Sequence, residues 1–145
     1  MYKMHRRKGF TLMELLIVIG IIAILAAIVI IAINPARQLA QSRNSQRWSN
    51  VTALLNAVHQ QGLDNQGNIN AAITAVCPAI QAIDSGAGGA GVDLSTLAPN
   101  YLAAIPADPS SASGVDTGYT ICRAGNRTTL AAPSAELGAK IEATR

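Results

Sequence analysis

Arg6 to Pro35 reads RRKGFTLMELLIVIGIIAILAAIVIIAINP, a basic end, a Gly-Phe junction, and then apolar residues holding one acid. From Leu15 to Ile33 there is no charge, and Gly20 alone interrupts Leu, Ile, Val and Ala. That run meets the roughly 18-residue criterion for a membrane-spanning helix. Counted from Phe10, a helix rising about 1.5 Å per residue reaches roughly 36 Å, enough to cross a hydrocarbon core of about 30 Å with some tilt.

Two other readings compete. A secretory signal peptide has an apolar region of about 7–15 residues and ends at a small-residue cleavage site, whereas this run is longer and ends in Asn34-Pro35. A plain single-pass anchor leaves Glu14 unexplained. An ionisable group one turn inside an apolar segment is costly to insert, so it points to function with a partner to be named; the blander reading is a side chain that snorkels to the headgroups.

Lys8-Gly9 followed by Phe10-Thr11-Leu12-Met13-Glu14-Leu15-Leu16 resembles the class III signal of bacterial type IV pilins and of type II secretion pseudopilins. The resemblance covers about the first 35 residues, with looser similarity beyond. It implies that a membrane peptidase cuts between Gly9 and Phe10 on the cytoplasmic side, that the new N-terminal Phe10 is methylated, and that Glu14, fifth in the cleaved chain, serves assembly. The family usually carries a helix-breaking proline where Ile31 stands here, and Pro35 comes about one turn later. Local melting of the helix between Gly20 and Pro35 is therefore an open question at this point.

Charge supports the division. Of 11 Lys and Arg, four (Lys3, Arg6, Arg7, Lys8) precede the junction, leaving seven against eight acids that all follow it. Cleavage would turn a net charge of +3 into one excess negative charge, so the basic pI gives no sign of nucleic-acid binding. The leader is more basic than the flank holding Arg37, Arg43 and Arg47, so the leader is expected in the cytoplasm and the C-terminal part is expected to be exported.

Beyond Pro35 the pattern becomes amphipathic, with Leu39, Trp48, Val51, Leu55 and Val58 at near-helical spacing and Gly62 where a C-terminal cap belongs. One helix is predicted from Thr11 to Gln61, with a bend possible at Pro35. Trp48 is expected in the core, and Arg43 and Arg47 on a solvated face, the sharper alternative for the arginines being contact with a neighbouring subunit. Residues 63–68 read as a loop. Asn70 is expected to cap a short helix over Ala71 to Cys77 that Pro78 stops, and the following AIQAI fits a strand or a helix equally.

Gly86 to Gly91 satisfies G-x-G-x-x-G but lacks the strand before it and the long helix after it, so a loop is expected. Asp93 to Pro109, rich in prolines, should wrap the surface with Leu97, Tyr101, Leu102 and Ile105 inward; this stretch also resembles pilin-like domains. Tyr119–Arg123 and Arg127–Ala132 read as a hairpin joined by Ala124-Gly125-Asn126. Cys77 and Cys122 both lie in the part assigned to export, where a disulfide is expected, with two separate thiols as the alternative. His5 and His59 stand alone and make no metal cluster. Asp108 and Asp116 are candidates for calcium. No nucleophile motif or catalytic constellation occurs, and no cofactor is expected.

The resulting expectation is α+β and pilin-like, a long N-terminal helix packed on a small antiparallel sheet. Its divisions are a leader (1–9), a transmembrane and assembly helix (10–35), an amphipathic continuation (36–62) and a small globular domain (63–145). Functionally it implies a prepilin, held by inner-membrane lipid, cut by a prepilin peptidase and methyltransferase, and polymerised on a pilus assembly platform into a helical surface filament. A pseudopilin of a secretion or DNA-uptake machine is the nearest alternative. A bitopic membrane protein with an exported ligand-binding domain is the alternative of another class.

Overall fold

The computed structural model describes residues 9–145 as an α+β chain with a long apolar helix at its start and a small mixed sheet. The leader's Lys3, His5, Arg6, Arg7 and Lys8 lie outside the described residues. The chain divides into two compact units, Met1–Gln38 and Leu39–Arg145.

In the first unit, α1 (Leu12–Ile33) is 22 residues long and none of them is buried. Its length of about 33 Å matches a bilayer core, and lipid favours such a helix because every interior backbone group is paired within the segment. The helix ends at Asn34, which turns left-handed (φ 48°, ψ 76°). Proline explains the break. Pro35 has no N–H to continue the ladder and its ring disfavours helical geometry in the residue before it, while Asn tolerates the left-handed region better than most residues. Asn34 then serves the next helix, its Oδ1 accepting from the Arg37 N–H at 3.3 Å. The single helix expected from Thr11 to Gln61 is thus two, α1 and α2 (Pro35–Asp64), with Pro35 at the first position of the second, where its fixed φ is favourable.

Within the second unit, α2 buries Ala40, Arg47, Val51, Leu54, Leu55, Ala57, Val58 and Gly62. Trp48, expected in the core, is 46% exposed, and Leu39 is 59% exposed. Each is one residue from a buried position and so turned about 100° from it. The helix also passes Gly62 rather than stopping there. It closes two residues later, where the Gly67 N–H donates to the Gly62 carbonyl at 2.8 Å and the Gln66 N–H to the Leu63 carbonyl at 3.2 Å. That is the double bond pattern of a Schellman cap, with left-handed Gln66 (φ 60°) and Gly67 (φ 85°).

Five strands follow, β1 (Gln81–Asp84), β2 (Val92–Asp93), β3 (Asp116–Ala124), β4 (Arg127–Ala131) and β5 (Glu142–Thr144), in the order β2-β1-β3-β4-β5. The β3–β4 hairpin is as tight as its sequence suggests: Ala124 pairs with Arg127 across Gly125-Asn126, with Gly125 at φ 63°. The sheet is not purely antiparallel, because β1 and β2 run parallel. Parallel neighbours usually need a crossover of about a dozen residues, and here the glycine loop makes the turn instead. A Cβ on Gly89 would strike the Asp84 carboxylate, and one on Gly91 the Ala82 carbonyl, so only glycine lets this backbone fold so closely. The literal dinucleotide pattern is therefore a loop wrapped on Asp84, whose Oδ2 accepts from the Gly91 N–H at 2.7 Å.

Val51, Leu54, Leu55 and Val58 of α2 share one core with Ile83, Val92, Tyr119, Ile121 and Leu130 of the sheet. Burying each such side chain is worth about 1.5–3 kcal/mol. Leu97 lies fully inside, and Tyr101, Leu102 and Ile105 pack against the core from the wrapping segment. The helix expected over Ala71 to Cys77 does not form. Asn70 Oδ1 accepts from the Ala72 N–H at 3.0 Å, and the chain then extends so that Val76 bridges Arg123 on β3.

Candidate functional site

The N-terminal site is built by Thr11. It stands in extended geometry (φ −82°, ψ 153°) ahead of α1, and its Oγ1 accepts from the Glu14 N–H at 3.2 Å. Glu14 reaches back, its Oε2 accepting from the Thr11 N–H and from the Thr11 hydroxyl, both at 2.9 Å. This reciprocal capping box satisfies amide donors that the first turn would leave bare, and it places a carboxylate at the positive end of the helix dipole. Gly9 and Phe10 precede it outside the helix, with Phe10 85% exposed and open space where a Gly9 Cβ would stand. So the three residues singled out for processing and assembly fall within six positions, with Gly9 and Phe10 exposed ahead of the helix and the acid folded back one turn.

A second constellation, which the sequence reading missed, sits in the Leu39–Arg145 unit. Arg47, expected on a solvated face, is fully buried. Its Nε donates to Asp108 Oδ2 at 2.6 Å and its Nη1 to Glu136 Oε2 at 3.0 Å, while Nη2 donates to Asp108 Oδ1 and to Ser110 Oγ. Arg43 adds a two-point pair, Nε and Nη2 donating to the two Glu136 oxygens at 2.7 and 2.6 Å. Burial alone would raise the Asp108 carboxyl; hydrogen bonds from Arg47 and from the Ser110 and Ser111 N–H groups outweigh it and hold it well below the usual range. Glu136 is lowered to about 2, first by Arg43 and then by Arg47. Asp108 is thus committed to Arg47, and Asp116, exposed, accepts from the Gly118 N–H at 2.8 Å. Both carboxylates accept from protein donors, and no group of three or more His, Cys, Asp or Glu side chains that could hold a metal ion gathers among the described residues.

The signal for Arg47 was present in the spacing. Ala40, Arg47 and Leu54 recur every seven residues and share the face of Val51 and Val58, so the arginine stands in the middle of the buried stripe. A cation there requires acid partners, which Asp108 and Glu136 supply.

Cys77 and Cys122 form a disulfide with Cα atoms 5.2 Å apart. Around it the Cys77 N–H donates to the Arg123 carbonyl at 3.1 Å and the Arg123 N–H to the Ala75 carbonyl at 2.9 Å. Closing a 45-residue span in this way is worth up to about 4 kcal/mol in the chain-entropy picture.

A family model described as the prokaryotic N-terminal methylation motif matches residues 4–33, so the chain carries the class III signal motif of type IV pilins. The motif marks a substrate of the prepilin type and a class of structural proteins. No curated protein and no solved structure matches the chain.

Proposed function

We propose that this chain is a prepilin, a non-enzymatic subunit of a type IV pilus. The peptidase releases residues 1–9 by cutting after Gly9 on the cytoplasmic side, and the Phe10 amine is then methylated. Residues 10–35 hold the subunit in the inner membrane, residues 36–62 continue into the exported part, and residues 63–145 complete its globular domain. On the assembly platform, the apolar helices of successive subunits pack together into a surface filament.

The observation that carries this reading is the conjunction of an open Gly9-Phe10 junction, an acid one turn later, and a following helix with no buried residue. Apolar surface on every side of α1 is satisfied by lipid, where helices have little hydrophobic reason to associate. Once the helix leaves lipid for water, each apolar Å² left uncovered costs about 25 cal/mol, and packing against other copies removes that cost. Glu14 supports the same reading, because its carboxylate can neutralise the terminal amine of a neighbouring Phe10 where either charge alone would be costly to bury.

Intact-mass measurement of the membrane-held protein, paired with imaging of sheared surface filaments, tests this. The expected wild-type chain begins at a methylated Phe10 and is found in filaments, and Gly9→Leu leaves the full-length chain in the membrane. A wild-type chain that keeps its leader, or starts anywhere else, overturns the reading. Correct processing without extended filaments assigns the chain to the pseudopilins instead.

A further inference from the structure

The capping box at the head of α1 also decides which peptide bonds lie outside the helix. α1 begins at Leu12, and the Thr11 Oγ1 takes a donor that a longer helix would need, the Glu14 N–H, at 3.2 Å. Were the helix to begin two residues earlier, that N–H would donate to the Phe10 carbonyl and the Met13 N–H to the Gly9 carbonyl. Neither bond forms among the described residues. Thr11 instead stands at φ −82°, ψ 153°, which turns the chain ahead of it off the helical path, and its own N–H, donated to Glu14 Oε2 at 2.9 Å, holds it there. Propensity alone does not set this boundary. Gly9 is a poor helix former, but Arg6, Arg7 and Lys8 ahead of it are good ones.

We propose that Thr11 is a positioning residue for cleavage after Gly9, the N-cap that keeps the Gly9–Phe10 peptide outside α1. The proposal rests on the prepilin reading. Hydrolysis adds the hydroxyl of water to the Gly9 carbonyl carbon, breaks the bond to the Phe10 nitrogen and leaves the remaining proton on that nitrogen. A peptidase must therefore reach a face of the carbonyl with water and the carbonyl oxygen with donors that stabilise the developing oxyanion. In a helix that oxygen is already taken by the N–H four residues on. In the capped geometry it is free, Phe10 is 85% exposed, and a Cβ on Gly9 would meet open space, so a second protein can lie against the backbone at the bond to be cut. The atom that matters is Thr11 Oγ1 rather than the Glu14 carboxylate. Its donor is the backbone of residue 14, which Glu14→Ala retains.

The test follows, by intact mass over time, cleavage of the full-length chain in membranes supplied with a prepilin peptidase. Thr11→Ala and Thr11→Val remove the acceptor, Val at nearly unchanged shape, while Thr11→Ser and Thr11→Asn keep one. Ala and Val should lower kcat/KM by about fivefold, the population shift of losing one helix cap; Ser, Asn and Glu14→Ala should stay within about twofold of wild type. Carbonyl carbon chemical shifts of Gly9 and Phe10, measured on the full chain in detergent micelles, should move towards helical values in Ala and Val alone. Asn separates capping from recognition, because it offers an acceptor without a hydroxyl. Normal cleavage of Ser with slow cleavage of Asn would mean that the peptidase reads the Thr11 hydroxyl itself, and overturns the proposal. Wild-type rates for Ala and Val overturn it too, as does slow cleavage with unmoved Gly9 and Phe10 shifts. A wild-type chain left uncut defeats the prepilin reading and this proposal with it, whereas wild-type cleavage that Gly9→Leu abolishes leaves that reading standing whatever Thr11 does.

Discussion

Glu14 makes its recorded hydrogen bonds inside its own first turn and through one oxygen, Oε2, and the other has no recorded donor among the described residues. For a simple anchor, Glu14→Ala removes an acid from an apolar helix and insertion should be unchanged or improved. For a filament subunit the same change leaves a neighbour's Phe10 amine unpaired in an apolar core, which should cut incorporation roughly a hundredfold to a thousandfold. Cleavage should survive, since it depends on Gly9. Recovery of the correctly cleaved variant in sheared filaments at wild-type abundance, with no wild-type copy present, would refute the pairing. Arg47 gives a second residue-scale prediction. Arg47→Leu strands Asp108, whose side chain is fully buried with it, and should cost about 3–5 kcal/mol in denaturant unfolding, whereas the double change with Asp108→Leu should recover most of that loss. A double variant as unstable as the single one would show that the pair matters through something other than charge. The sequence pointed to Glu14 because an acid in an apolar run has few explanations. Arg47 and Trp48 run against their polarity because position on the helix outweighs it, the burial of adjacent residues being decided by a 100° turn.

The two helices and the hairpin were legible because their signals are local: an unbroken apolar run, a 3.6-residue stripe, and a glycine turn between Thr- and Ile-rich strands. The elements that were not legible depend on distant partners. Glu142–Thr144 is a strand because Thr129, Leu130 and Ala131 lie beside it, and Val92–Asp93 is too short to carry any periodicity of its own. The end of α2 was misplaced for a subtler reason, since Gly62 looked like a cap while Gln66 holds the left-handed position. Gly62→Ala should therefore stabilise the protein by about 0.5–1 kcal/mol. The added methyl would meet the Asn68 carbonyl and Ile69 at 3.6 Å, an ordinary contact. Gly67→Ala, at φ 85°, should lose about as much. Urea unfolding of the two variants checks both signs, and a destabilised Gly62→Ala would mean that the helix end is closer packed than this geometry allows.

At the scale of the molecule, the Arg43–Arg47–Asp108–Glu136 network sets how the Leu39–Arg145 unit responds to acid. Glu136 is lowered from its ordinary 4.5 to about 2 in the folded state. The folded state therefore binds fewer protons than the unfolded one, and the stability this provides is whole above about pH 4.5 and drains as the pH falls towards 2. Asp108, held lower still, extends the loss further down. Melting temperatures measured from pH 7 to 2 should fall across that window, and less steeply in Glu136→Gln; parallel curves would exclude Glu136 as the source. The first unit obeys a different logic. Apolar on all sides, α1 tells its surroundings nothing about which way it is turned, so lipid or a packed neighbour meets nearly the same surface at every angle. Glu14 is the one ionisable side chain along its length, and it alone gives the helix a bearing. Aliphatic exchanges among its Ile, Leu and Val then alter how well the rod is wetted or packed, while the information about azimuth and register is concentrated in a single carboxylate.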